Sequence, residues 1–233
     1  MLKMIKKKTF FLLMIGLFSL VFVQPSMATL VTLQPADGKD AHIAALDPTT
    51  NYGAFEYLTA NWTGTGSIDD KGLLEFDLTS LAGANIIDAT LSFYHVFNSG
   101  NGATFDLFRN TAAWDEAAVT WDSAPAYDAV SAASLSISDD NVGVWRDWDI
   151  TALVQGWTSG TYDNYGMTFS RVDQSNSDIY FASSDNTTPA WAPKLTINYD
   201  SGNNVVPEPS TYLLLGSGLA GLAFWRRRQK SRG

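Results

Sequence analysis

The sequence predicts an all-β sandwich or barrel with one short helix, set between two apolar terminal segments. Three observations lead there. From Asp88 to Phe97 the chain alternates, placing Ala89, Leu91, Phe93, His95 and Phe97 on one face with the period of a half-buried strand. Clusters of Gly, Asn, Asp and Pro at 47–51, 98–102 and 184–189 break the chain into short pieces, the spacing of sandwiches and barrels. The chain has eight tryptophans and no cysteine, so such a body is held by apolar packing without disulfides.

The elements follow in chain order. Lys3, Lys6, Lys7 and Lys8 precede an apolar run from Phe10 to Val23, and Ser26-Met27-Ala28 supplies small residues at positions −3 and −1. This is the layout of a signal peptide over 1–28, cut by signal peptidase after Ala28. The body, residues 29–200, has the size of one domain. Strands are expected at Phe55–Ala60, Lys71–Leu78, Asp88–Phe97, Thr104–Arg109, Gly166–Val172, Asp178–Ser183 and Lys194–Tyr199. The helix is expected after Thr151 as N-cap, with Leu153, Val154 and Trp157 on one face and Gly160 as its stop.

A linker at 201–206 leads to a tail at 207–233. Tyr212 to Trp225 is apolar and, as a helix, spans roughly 21 Å at ~1.5 Å per residue, short of the ~30 Å bilayer core. Arg226, Arg227, Arg228, Lys230 and Arg232 follow and hold that end cytoplasmic, so the body lies across the inner membrane. The anchor at about 212–225 is marginal, as a transient one would be.

Nine of the 15 Lys and Arg lie in the two terminal segments, against one of the 24 acids (Glu208). The body therefore carries six bases and 23 acids, a formal charge of −17, against −9 for the whole chain. A field of that sign repels polyanions and excludes nucleic acid as a partner.

Two resemblances rest on particular residues. Val206-Pro207-Glu208-Pro209-Ser210, the apolar run with Gly216, Gly218 and Gly221, and the arginines resemble the PEP-CTERM sorting signal. That resemblance implies Pro207, Glu208 and Pro209 as the residues recognised by a membrane-embedded exosortase. It also implies release of the body to the cell surface or extracellular matrix.

The body resembles a DNRLRE domain, the group that includes disaggregatase-related repeats and carbohydrate-binding module family 96. The match lies in Asp40-Ala41-His42-Ile43, Asn51-Tyr52-Gly53, Gly72 to Leu78, Ile87 to Leu91, Trp114-Asp115-Glu116 with Val119-Thr120-Trp121 and Pro125, Asp149-Ile150-Thr151, Asn164-Tyr165-Gly166 and Phe181-Ala182-Ser183. It implies a jelly-roll β-sandwich on a secreted protein, with some members binding alginate. This chain departs from the pattern at Glu75, where many members carry an arginine. Trp114, Trp121 and Trp157 are expected between the sheets, and the two Asn-Tyr-Gly triplets in turns that use positive φ.

No catalytic motif is present. His42 and His95 are the only histidines, no Gly-x-Ser-x-Gly elbow occurs, and paired acids such as Asp115-Glu116 do not define a cleft. The reading is a non-enzymatic module that binds extracellular polysaccharide through aromatic side chains near loops: Tyr52, Tyr57, Trp62, Trp145, Tyr162 and Trp191. A structural matrix protein without a glycan pocket, or a polysaccharide lyase, are the alternatives. Calcium is the expected ion, with Asp37, Asp40 and Asp185 as ligands, because hard oxygen donors abound.

Overall fold

The computed structural model describes residues 28–34, 39–61, 70–100, 102–138, 141–173 and 178–200. The expected signal peptide before Ala28, the linker, and the tail with Pro207, Glu208, Pro209 and the 212–225 span lie outside the described residues, as do Asp37 and Trp62. Among the described residues no helix is long and apolar enough to cross a membrane.

Eleven strands form two antiparallel sheets. In chain order they are β1 (Ala28–Leu33), β2 (Lys39–Ala44), β3 (Tyr57–Thr59), β4 (Asp70–Glu75), β5 (Asn85–Asn98), β6 (Ala103–Arg109), β7 (Ala133–Ile137), β8 (Val144–Asp149), β9 (Met167–Arg171), β10 (Ile179–Ala182) and β11 (Lys194–Asp200). Among the described residues the single α-helix, α1 (Thr151–Thr158), lies between β8 and β9. The first sheet runs β1-β11-β5-β10-β3 with β8 also on β5; the second runs β2-β4-β9-β6-β7. Successive strands change sheet at every connection except β6–β7 and β10–β11, so the chain winds around the sandwich rather than meandering within one sheet.

β5 organises the first sheet. Thr90 and Ser92 pair with both β11 and β8, which puts these strands on opposite edges of β5. His95 pairs with β8 and with β10, so β10 shares the β11 edge further along. The first and last strands also meet: Ala28 opposes Asp200 and Leu33 opposes Leu195.

The core between the sheets is largely aromatic. Phe93, Trp148 and Phe181 from the first sheet meet Phe105 and Phe169 from the second, with ring centroids 5.2 Å apart for Phe93–Trp148 and 4.9 Å for Phe105–Phe169. Rings of this size bury large apolar areas and add edge-to-face attraction. This packing accounts for stability in a chain without disulfides.

Three expectations are corrected. Trp157 joins the main core, but Trp114 and Trp121 do not lie between the sheets. Trp114 sits in a second cluster with Ala41, Ile43, Leu73 and Val119, where the segment 110–132 covers the outer face of the second sheet, and Trp121 packs against it. The large inter-sheet tryptophan is instead Trp148.

Thr151 is the first helical residue rather than the cap. The Asp149 carboxylate accepts its N–H at 2.9 Å and its hydroxyl at 2.6 Å, while Thr151 Oγ1 accepts the N–H of Ala89. Gly160 ends the helix at φ 73°, the left-handed conformation that glycine adopts without strain.

Phe97 leaves the face shared by Phe93 and His95. The pairing of β10 with β5 shifts between Tyr180 and Phe181, so Phe97 opposes Tyr180 and is 45% exposed. A bulge of this kind re-aims one side chain without breaking the strand.

Candidate functional site

Two features of the surface carry side chains that could engage a partner. The first is the outer face of the first sheet. Strand alternation points Tyr94 of β5, Tyr57 of β3 and Tyr180 of β10 away from the core, and the bulge adds Phe97. Tyr180 stacks between Tyr57 (5.8 Å, 25°) and Phe97 (5.3 Å, 26°). Phe55 abuts Tyr57 edge-on at 5.8 Å, and Tyr52 follows Phe55 at 6.1 Å. On the same face Tyr94 stacks on Trp191 (4.7 Å, 16°) and meets Trp145 at 5.2 Å. The Lys194 ammonium lies 3.7 Å from the Trp145 ring centroid. These rings are half-buried or exposed, so apolar area and hydroxyls are both available.

The field over this face is mostly negative at one end. Burial, followed by the charges of Asp178 and Asp70, pushes the Tyr180 phenol above its usual range. Lys194 supplies positive charge at the other end.

The expected binding residues divide accordingly. Tyr57 meets Tyr180, and Trp145 and Trp191 both meet Tyr94, partners not expected at the binding face; Phe97, expected on the inward face, stacks on Tyr180. Tyr52 touches the group through Phe55, and its hydroxyl donates to Asp47 at 3.0 Å. Tyr162 stands apart, packed against the core with the Arg109 guanidinium 4.4 Å over its ring. Alternation flags single strands, whereas the grouping depends on which strands become neighbours. That is why Tyr94 and Tyr180 were missed and Phe97 was placed on the wrong face.

The second feature is the outer edge of β2, bridged at His42 to Tyr52, where three separate segments converge. Asp40 is wholly buried there, and its Oδ2 accepts the N–H of Ser184 at 2.8 Å. Its own N–H donates to Glu116 Oε1 at 3.0 Å. Asp185 completes the group: one carboxylate oxygen from each of the three acids lies within 4.8 Å of the others. Burial pushes the Asp40 carboxyl up to about 7, and burial also raises Glu116, with the charge of Asp185 adding to both. Asp40 and Asp185 were expected ligands; Glu116 was known only as part of a motif.

The two triplets set up this edge. Asn51 Nδ2 donates to the carbonyls of Glu116 (2.8 Å) and Val119 (2.7 Å), tying 110–132 to the β2 side. Asn164 Nδ2 donates to the Phe76 carbonyl at 2.8 Å, and Trp114 Nε1 donates to Tyr165 O at 3.0 Å. No residue other than glycine has positive φ among the described residues. Positive φ is met at Gly166 (72°) but not at Gly53, Asn51 or Asn164, and the asparagines serve through their side chains instead.

The histidines offer little to chemistry. His95 is buried against Phe181, with Nε2 at 3.0 Å from the Phe97 carbonyl. His42 lies between Thr59 Oγ1 (3.0 Å from Nδ1) and Asp70 (4.0 Å from Nε2), an order resembling a nucleophile, base and acid. Thr59 is 2% exposed, however, and burial lowers His42 to about 4, so no substrate reaches the hydroxyl. An open groove of about 560 Å³ lies elsewhere, lined by Lys39, Glu75, Asp77, Trp157 and Asn164. Lys39 and Glu75, the residue that departs from the family pattern, close an ion pair in it at 3.2 Å.

Comparison with known proteins bears on both body and tail. Residues 205–228 match the PEP-CTERM protein-sorting motif, which marks an exported protein. The tRNA nuclease WapA of Bacillus subtilis strain 168 is 28% identical over 141 residues, covering 55% of this chain and 6% of that protein. The tRNA(Glu)-specific nuclease WapA of Bacillus subtilis subsp. natto strain BEST195 aligns with the same figures, 28% over 141 residues. The chain thus spans 6% of the length of these curated relatives, and the nuclease activity in their names is said of them alone. The model for carbohydrate-binding module family 96 matches residues 30–199, nearly the whole two-sheet body with its aromatic outer face, and the chain belongs to that family.

Proposed function

We propose that the body binds an uncharged extracellular polysaccharide noncovalently along the outer face of the first sheet, after export and removal of the tail by an exosortase. The observation that carries this reading is the pair of aromatic groups on one sheet face, Tyr57–Tyr180–Phe97 and Trp191–Tyr94–Trp145. Aromatic rings pack against the C–H faces of sugar rings, and neighbouring hydroxyls and amides satisfy the sugar hydroxyls. A chain-like ligand suits an open face better than a closed pocket.

Charge selects within the class. The body carries −17, and Asp70 and Asp178 act on Tyr180. A polyuronate would meet repulsion at that end, whereas a neutral polymer would not. Catalysis forms no part of the reading, because the His42 arrangement is closed to substrate and the family is one of binding modules.

The test is affinity electrophoresis of the full-length chain in gels containing β-glucan, galactomannan, alginate or pectin. Retention is expected on a neutral polymer. Tyr180→Ala and Trp191→Ala are each expected to weaken it roughly two- to tenfold, the range of one lost aromatic contact. Failure of every neutral polymer to retard the chain would leave a structural matrix role as the better account. Release of unsaturated products from alginate or pectin would point to a lyase instead.

A further inference from the structure

We propose that Asp40, Glu116 and Asp185 form a divalent-cation site suited to calcium at the outer edge of β2. Calcium takes oxygen ligands at about 2.3–2.6 Å, so oxygens sharing one ion stand no more than about 5 Å apart. The three carboxylates meet that condition, with one oxygen of each within 4.8 Å of the others.

A cluster of acids alone would not establish a site. The independent observation is Asp40 Oδ1, which is buried and has no hydrogen-bond partner, although Oδ2 is held by Ser184. Asp40 has no exposed surface at all. Buried carboxylates are normally paired, fully hydrogen-bonded or metal-bound, because leaving one unpaired is costly.

The neighbouring charges do not fill that role. Lys39, whose charge reaches Glu116, is engaged with Glu75 (3.2 Å) and the Trp114 carbonyl (2.6 Å). His42, two residues along β2, has its ring nitrogens at Thr59 and Asp70. The donor set is therefore all hard oxygen, which favours calcium over zinc or copper.

Access and position are both provided. Asp185 is exposed and Glu116 half-buried, so the group opens to solvent on one side. The Asp185 N–H bonds Ser183 Oγ at 3.2 Å, and that hydroxyl donates to the Phe55 carbonyl at 2.7 Å. An ion here would join the start of β2, the segment 110–132 and the β10–β11 connection that carries Trp191. It would do so in a chain that has no disulfide to perform the same service.

The test uses the full-length chain stripped with EDTA, its thermal unfolding followed as calcium chloride is raised to about 10 mM, above the affinities typical of extracellular modules. The midpoint is expected to rise by roughly 5–10 °C once calcium reaches about 100 times Kd. Magnesium, which keeps its waters, is expected to shift it less. Asp185→Asn, at an exposed position that leaves the fold intact, and Asp40→Asn should each abolish the shift. Asp122→Asn, an exposed acid on the same segment 110–132, should retain it in full. No response to calcium, or an equal response in Asp185→Asn and Asp40→Asn, would overturn the proposal. Glycan retention is measured without added calcium, so the two readings fail separately.

Discussion

Gly53 lacks a side chain for a reason visible only in three dimensions: a Cβ there would collide with the carbonyl oxygen of Glu116. The triplet Asn51-Tyr52-Gly53 was legible as a turn, as was Asn164-Tyr165-Gly166. Its purpose was not. Asn51 ties down residues 116–119, and Gly53 lets that segment close on the β2 edge. Gly53→Ala is therefore expected to cost about 1–3 kcal/mol, the range for overpacking, read from the urea midpoint of unfolding. A midpoint within error of the parent would show that the segment yields freely. Glu116 escaped the sequence reading for a related reason. It lies 76 positions from Asp40, and no local spacing rule joins residues so far apart.

At the scale of elements, legibility followed alternation rather than burial: five of the six residues of β2 are buried, and a continuously buried strand has no period-2 pattern to read. β5 has alternating apolar residues over much of its length and was read almost whole. β8 has a single buried residue, Trp148, among six, and β1 has none, so neither showed a period-2 signal. Both are peripheral strands with little apolar demand. The helix was read correctly along its face and incorrectly at its start, because the Thr151 N–H and hydroxyl both donate to Asp149, which makes Thr151 the first helical residue rather than its cap.

That acceptor has a pH signature. The Thr151 hydroxyl, then its N–H, hold the Asp149 carboxyl below the usual carboxylate range. A depressed folded-state pKa means that the unfolded chain binds more protons in the acid window. The contribution of Asp149 is thus complete above about 3.9 and fades as pH falls through the lower folded value. Asp149 is solvent-exposed, so the effect is modest. Asp149→Asn should lower the thermal midpoint by about 1–2 °C at pH 7, and the gap to the parent should close near pH 2. A gap that stays constant with pH would assign the interaction to geometry rather than charge.

For the molecule as a whole, the sandwich was inferred from strand density and turns, while its winding was not, since which strands become neighbours is a long-range property. The outermost pairing is the most distant. β1 holds to the sheet through six opposed residues on β11, with Val31 and Leu33 packed against the core. A chain beginning at residue 34 would lose those contacts, an expected cost of roughly 2–3 kcal/mol from the two side chains. It would also bare the edge of β11, so gel filtration should report dimers or larger species. A truncated chain that stays monomeric with an unchanged midpoint would show β1 to be dispensable.

The meeting of Ala28 with Asp200 also bears on how the protein is made. The first strand finds its sheet neighbour only in the last one, so β1 can take its place only once the chain has been made as far as β11.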